Sequence, residues 1–427
     1  MAFLRRINRI LLPLVLTALA SLAHAADNDL SQYFRFSGFA SLGFTKGGND
    51  ILGFRRELDR EGLYDGDWSF LAESSVGLQM DINPTGEFGG TIQLLARDTF
   101  DDNLEDSFSW GFLRYRFHPD WTVRVGRIGV DQYMLSEYRN LSFSYLWTRP
   151  PVELYTLASF DYFDGFDLAW TNSLGSGTLT TKLQAGEISN TFKVRGNALD
   201  IKLSPIVGLS LIWESDRWQA RVSAARLRFD TPDDYFPGTK PLADVLREPM
   251  LALVWPQASS YADEFLLDDP YLNYFTIGTA YDNDSWQVQW EANYVDSNTA
   301  FYPSMLDGYL SVGRQIGAVT PFVLMAWAES QEDRFVVEPP MMTSNPQIDA
   351  GLNLLADGLQ ASRDLGPVDQ HTLSFGVRWD VRYDIALKFQ WDHTWVNAYG
   401  GGLWEQKAVP TEDTELNTFA INLNCIF

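Results

Sequence analysis

The chain has 427 residues, with 32 Lys+Arg against 56 Asp+Glu for a net charge of −24; hydrophobic residues make up an ordinary 45 % and aromatic residues a high 14 %. An acidic surface repels a phosphate backbone, which argues against nucleic-acid binding, and the aromatic richness argues against a disordered chain. A single Cys rules out an intramolecular disulfide and a Cys-rich zinc site, and four His leave little for metal or acid–base chemistry, so no metal, no cofactor and no enzymatic activity is expected.

Residues 1–25 read as a secretory signal. Arg5, Arg6 and Arg9 form a positive start, Ile10 to Ala20 an apolar stretch, and Ala23-His24-Ala25 a small-residue cleavage site. Loss of the three arginines would take the net charge from −24 to −27. Beyond the signal no run approaches the roughly 18 apolar residues of a membrane helix. A secreted, a periplasmic or an outer-membrane β protein remains.

From there the pattern is period 2, which puts alternate side chains on opposite faces of strands. Val76, Leu78 and Met80 alternate with Gly77, Gln79 and Asp81. Trp286, Val288, Trp290, Ala292 and Tyr294 form another such face, as do Leu373, Phe375, Val377, Trp379 and Val381, then Ile385, Leu387, Phe389 and Trp391. Phe419, Ile421, Leu423, Cys425 and Phe427 oppose Asn422 and Asn424. Seven tight turns are predicted at 83–86, 118–120, 174–177, 215–217, 282–284, 317–320 and 382–384. Eight longer polar connections are predicted near 45–67, 98–106, 128–152, 189–197, 230–270, 297–305, 334–370 and 399–415. Fifteen connections imply sixteen strands, all hairpins and no helices. Short turns at one end and long loops at the other fit an all-β, 16-stranded antiparallel transmembrane β-barrel over 26–427, with short periplasmic turns and long extracellular loops. Phe117, Trp121, Trp218, Tyr281, Trp286, Tyr383 and Phe427 sit beside the short turns, where a membrane-interface girdle belongs.

On this pattern the chain resembles the general porin superfamily of Gram-negative outer membranes. The residues that carry the resemblance are the opening strand Phe34 to Phe44, the terminal Phe427 after alternating apolar residues, the strand number, and the long segment after the fifth strand. Arg124-Val125-Gly126-Arg127 and Trp147 to Tyr155 look like segments of less-characterised porin-like proteins, whereas the Pro-Glu-Phe-Gly-Gly motif of many inner loops is absent from 128–152. The resemblance implies an outer-membrane diffusion channel for small hydrophilic solutes and ions. It also implies that Phe427 is a signal for the barrel-assembly machinery, that lipid and lipopolysaccharide surround the wall, and that the chain forms a homotrimer. Small residues in the first strands (Gly38, Ala40, Ser41, Gly43, Ala72, Ser74, Ser75, Gly77, Gly89, Gly90) are expected at that trimer contact.

With apolar residues facing lipid, Arg35, Arg97, Arg114, Arg116 and Arg124 point inward from the first five strands. By analogy with porins, 128–152 folds inward and opposes this basic wall with Asp131 and Glu137, with Glu153 just beyond it. Tyr133, Tyr138, Phe143, Tyr145 and Trp147 are expected to pack that loop against the wall. Acidic clusters at 101–106, 233–234 and 263–269 read as solvated loops rather than cation sites. Selectivity stays open. The basic wall favours anions and the net charge favours cations, and a substrate-selective channel for an organic acid, phosphate or sugar is the alternative. A non-channel all-β surface or periplasmic binding protein is the other.

Overall fold

The computed structural model describes residues 32–58, 60–97, 107–156, 160–194, 197–230, 239–265, 269–299 and 302–427. The expected signal segment and the acidic clusters at 101–106 and 233–234 lie outside the described residues.

Sixteen long strands form the wall: β1 Phe34–Lys46, β2 Ser75–Ile82, β3 Phe88–Arg97, β4 Phe108–His118, β5 Trp121–Gly129, β6 Tyr162–Leu174, β7 Gly177–Val194, β8 Asn197–Glu214, β9 Trp218–Phe229, β10 Tyr271–Asp282, β11 Trp286–Ser297, β12 Met305–Arg314, β13 Val319–Ser330, β14 Val368–Arg382, β15 Ile385–Gly401 and β16 Thr414–Ile426. Each pairs with its successor, and β1 pairs antiparallel with β16 from Phe39↔Ile426 to Lys46↔Phe419, which closes the barrel. Backbone bonds exchanged between Gly38 and Phe427 extend that seam to the last residue. Closure removes every sheet edge, the condition for a sheet to span lipid.

The alternation sorts the wall cleanly. Leu42, Leu113, Val125, Val222, Phe275, Phe375 and Ile421 are exposed on the outside, while Ser41, Gln93, Ser223, Thr276, Ser374 and Asn422 are buried on the inside. Around the short-turn rim, aromatic rings follow one another: Phe88 on Tyr115, Tyr115 on Phe117, Phe117 on Trp121, Trp121 on Trp170, and separately Trp218 on Tyr281. Each of the seven predicted turns falls at a junction of consecutive strands, with 317–320 running two residues into β13.

Three expectations need correcting. Of the connection near 189–197, residues 195–196 lie outside the described residues, and 189–194 and 197 belong to strands, since β7 and β8 each run 18 residues. That is far more than the roughly 10 needed to cross a bilayer. The long connections are not free of helix: α1 Val152–Tyr155, α2 Thr239–Leu246, α3 Pro249–Ala252, α4 Ala258–Phe265 and α5 Pro346–Arg363 occur in them. Helices α2, α4 and α5 share a small core around Trp255, Leu246, Ala262 and Leu359. Finally, the small residues of the first strands divide between the two faces: by parity Ser41, Gly43, Ser75, Gly77 and Gly89 lie inside and Gly38, Ala40 and Gly90 outside. Inside, Ser41 donates to Asn424, and a Cβ on Gly43 would come within 2.2 Å of the Glu73 Cβ.

Candidate functional site: the inward loop and the basic wall

The connection between β5 and β6 crosses the lumen. It begins after Gly129 and ends at Asp161, so the expected boundaries 128–152 include the last two residues of β5 and stop at the start of α1. Its first residues bind the β7–β11 wall. The Asp131 carboxylate pairs with Arg221 and Lys182, Gln132 donates to Thr276 at 2.8 Å, and the Met134 N–H donates to Glu291 at 2.7 Å. Its middle binds the opposite wall. Trp147 Nε1 donates to Ser311 at 2.8 Å, and Asn422 donates to the Thr148 carbonyl at 2.7 Å. Lys388 Nζ, buried on β15, donates to the carbonyls of Ser142, Tyr145 and Trp147. Arg378 on β14 donates to those of Phe143 and Tyr145 at 2.7 and 3.1 Å. Tyr133, Tyr145 and Trp147 are buried in this packing.

The arrangement is lopsided. Lumenal side chains of β9 to β16, such as Arg221, Glu291, Ser311, Thr372, Lys388 and Asn422, are covered. Toward the short-turn end of β1 to β5 the lumenal Arg35, Asp81, Thr91, Arg114, Arg116 and Arg124 keep contact with solvent. Glu137 and Ser144 are exposed on the loop.

The five arginines divide into two groups. Arg97 is engaged by Glu57 at 3.2 Å, by Asn140 and by Asp161, and Arg124 is held by Asp167 with Glu137 at 3.4 Å. Arg35, Arg114 and Arg116 form no ion pair among the described residues; the Arg114 guanidinium lies across Gly89 and binds the neutral Asn83. Arg114 stands directly opposite Arg124 in the strand register. Asp167 offsets the charge of Arg124, so the guanidinium left without a carboxylate partner in this pair is that of Arg114. Arg127 faces outward, where it pairs with Asp164 at 2.9 Å.

The three acids do not act alike. Glu137, its side chain 49 % exposed, meets Lys182 at 3.0 Å and Arg124. Lys182 and Arg124 hold its carboxyl below the usual range. Asp131 and Glu153 are each 1 % exposed. They fasten the loop and do not face an aqueous passage. Glu153, in α1, accepts from Gln370 at 2.8 Å and from Thr372, and burial pushes its carboxyl up. Burial would also raise Asp131, but Lys182 and Arg221 overcome it and hold the group well below its usual range. Nothing in sequence spacing separates Asp131 from Glu137, because a coil has no period to assign faces.

The sign of the pH dependence follows from these shifts. Asp131 and Glu57, both depressed, contribute stability that is complete above their unfolded values and is lost as pH falls below about 4. Glu153, raised, contributes in the opposite sense, losing its share as pH rises through its folded value. Below about pH 4 Glu153 is protonated in the folded and unfolded chain alike, so only the depressed groups still change the balance there. The unfolding temperature, read from the gel shift of samples heated stepwise, is therefore expected to drop once the buffer passes below about pH 4. A midpoint unchanged down to about pH 2 would contradict the ion-paired anchoring.

No family model matches the chain, and no curated protein matches it by sequence. Among solved structures, the chain is similar to the outer membrane channel DcaP of Acinetobacter baumannii, with 13 % identity and a TM-score of 0.51 over 92 % of this chain and 97 % of that one. It is similar to the same degree to OmpF of Salmonella typhi, solved with daunomycin, at 10 % identity and a TM-score of 0.51 over 92 % and 97 %. These likenesses show the fold, the closed 16-stranded barrel of Gram-negative outer-membrane porins.

Proposed function

We propose that the protein is an outer-membrane porin that lets small hydrophilic solutes and ions diffuse passively through a charge-lined constriction, and that it prefers anions. The observation that carries the preference is the trio Arg35, Arg114 and Arg116, inward, in contact with solvent and without a carboxylate partner among the described residues. Fixed unpaired charge at a narrow passage raises the local concentration of counter-ions and sets which sign passes. The acidic excess of the chain has less influence, because charges beyond about a Debye length of 8–10 Å are screened. Arg97, Arg124 and Glu137 frame the passage, their charges met by Glu57 and Asp161, by Asp167 and by Lys182 respectively, while Asp131 and Glu153 hold the loop.

The wider reading supplies the setting. The barrel would sit in lipid and lipopolysaccharide, with the terminal Phe427 read by the barrel-assembly machinery before it joins the seam. The porin fold also supports a homotrimer; a monomer on both crosslinked and unheated gels would remove that part. Liposome swelling tests the channel. Vesicles carrying the folded protein are expected to admit small organic anions faster than cations of equal size. Equal rates would remove the anion preference, and no uptake of either would remove the channel.

A further inference from the structure

The loop between β1 and β2, residues 47–74, also turns into the barrel and meets the constriction loop. Its carboxylates Glu57 and Glu73 are 4 % and 0 % exposed. Glu57 binds Arg139 of the constriction loop at 3.5 Å, Arg97 of β3 at 3.2 Å and Arg60 of its own loop at 3.1 Å. Glu73 binds Arg149 of the constriction loop at 2.9 Å and Arg56 of its own loop at 3.3 Å. Arg139 and Arg149 bracket the stretch Ser142–Trp147 whose carbonyls Lys388 gathers. Arg149 further reaches Asp392 on β15 and lies over the Phe54 ring at 4.4 Å.

The loop carrying these acids is itself braced. Leu52–Gly53 pairs with Glu405–Gln406 of the last long connection, Glu405 accepts from the Gly62 N–H at 2.7 Å, and Arg55 donates to the carbonyls of Leu403 and Gly402. Gly43 on β1 leaves the space that Glu73 enters, since any side chain there would meet its Cβ. From this juxtaposition we propose that loop 47–74 is a clamp that sets the width of the constriction, with Glu57 and Glu73 as positioning residues at the two ends of Arg139–Arg149. Each acid is shared between arginines of both loops. Removing one charge therefore leaves buried guanidinium groups repelling across the loop contact, which costs far more than losing a surface pair. The inference rests on the channel reading above for its functional meaning.

The test uses the full-length folded protein with Glu57→Gln, Glu73→Gln and the double substitution. Amides of 139–149 in the double variant are expected to exchange on the order of 100-fold faster than in the parent, and single-channel conductance is expected to rise. Parent-like exchange and conductance in folded variants would overturn the clamp. If the parent itself shows no conductance, the channel reading falls while the exchange data still decide the clamp. Should a charge variant not fold, Gly43→Ala displaces Glu73 without touching a charge and carries the same expectation.

Discussion

Changing Arg35, Arg114 and Arg116 together to glutamate is expected to reverse the sign of the zero-current potential in a salt gradient. A unit charge about 5 Å from a passing ion is worth roughly 0.8 kcal/mol even in bulk water. Three charge reversals change the lumen by six units, spread over strands β1 and β4, which β2 and β3 separate. Screening reduces the sum, yet a shift of at least about tenfold in the anion-to-cation permeability ratio remains. None of the three arginines is in an ion pair among the described residues, so their replacement leaves no buried carboxylate behind. The same change at Arg124 would strand Asp167, which is 1 % exposed. Arg124→Glu should therefore harm folding first, and the contrast separates wall charge from wall structure. A potential unmoved by the triple substitution would take these residues out of the ion path.

Lys388→Met is expected to loosen the constriction loop more than any other single wall substitution. The Lys388 Nζ is completely buried and serves three backbone carbonyls, those of Ser142, Tyr145 and Trp147. Methionine fills a similar volume but donates nothing. Each carbonyl left without a donor costs about 1–3 kcal/mol. Arg378 continues to serve Phe143 and Tyr145, so the loss falls hardest on Ser142 and Trp147. The expected readout is a noisier open channel of larger conductance, with the barrel still resisting unfolding on an unheated gel. Conductance and noise equal to the parent's would show that the loop is held elsewhere.

How far this arrangement can be read from the sequence depends on whether a period carries it. The wall is legible because a strand has period 2. Leu113, Tyr115 and Phe117 turn outward, so Arg114 and Arg116 must turn inward, and Val125 does the same for Arg124. The turns are legible because Asn83-Pro84 or Asp282-Asn283-Asp284 cannot continue a strand. Helix α5 was equally open to reading but lay inside a polar stretch. Asn345 caps it by accepting from the Gln347 N–H, Pro346 follows, and Leu352, Ala356 and Leu359 recur at helical spacing. Its apolar stripe covers another loop, not the barrel, which is why a barrel pattern passes over it.

The loop contacts are different in kind. Glu73 meets Arg149 across 76 positions and Arg97 meets Glu57 across 40. No local spacing encodes either pair. The small residues of β1 were visible, but size alone does not say which face is crowded; the parity of Gly43 with Ser41 and Thr45, both buried, places it inside. Lys388 carried a usable signal. A lysine at the inward position between Leu387 and Phe389 demands acceptors within the lumen, and the crossing loop supplies carbonyls.

The most direct measurement is a planar-bilayer recording of the full-length protein, with its folding verified by its heat-dependent shift on a gel, under a tenfold salt gradient. Discrete conductance steps with a reversal potential of the sign carried by anions are expected. A silent bilayer from folded protein would contradict the channel, and steps with a cation-type potential would contradict the role given to Arg35, Arg114 and Arg116.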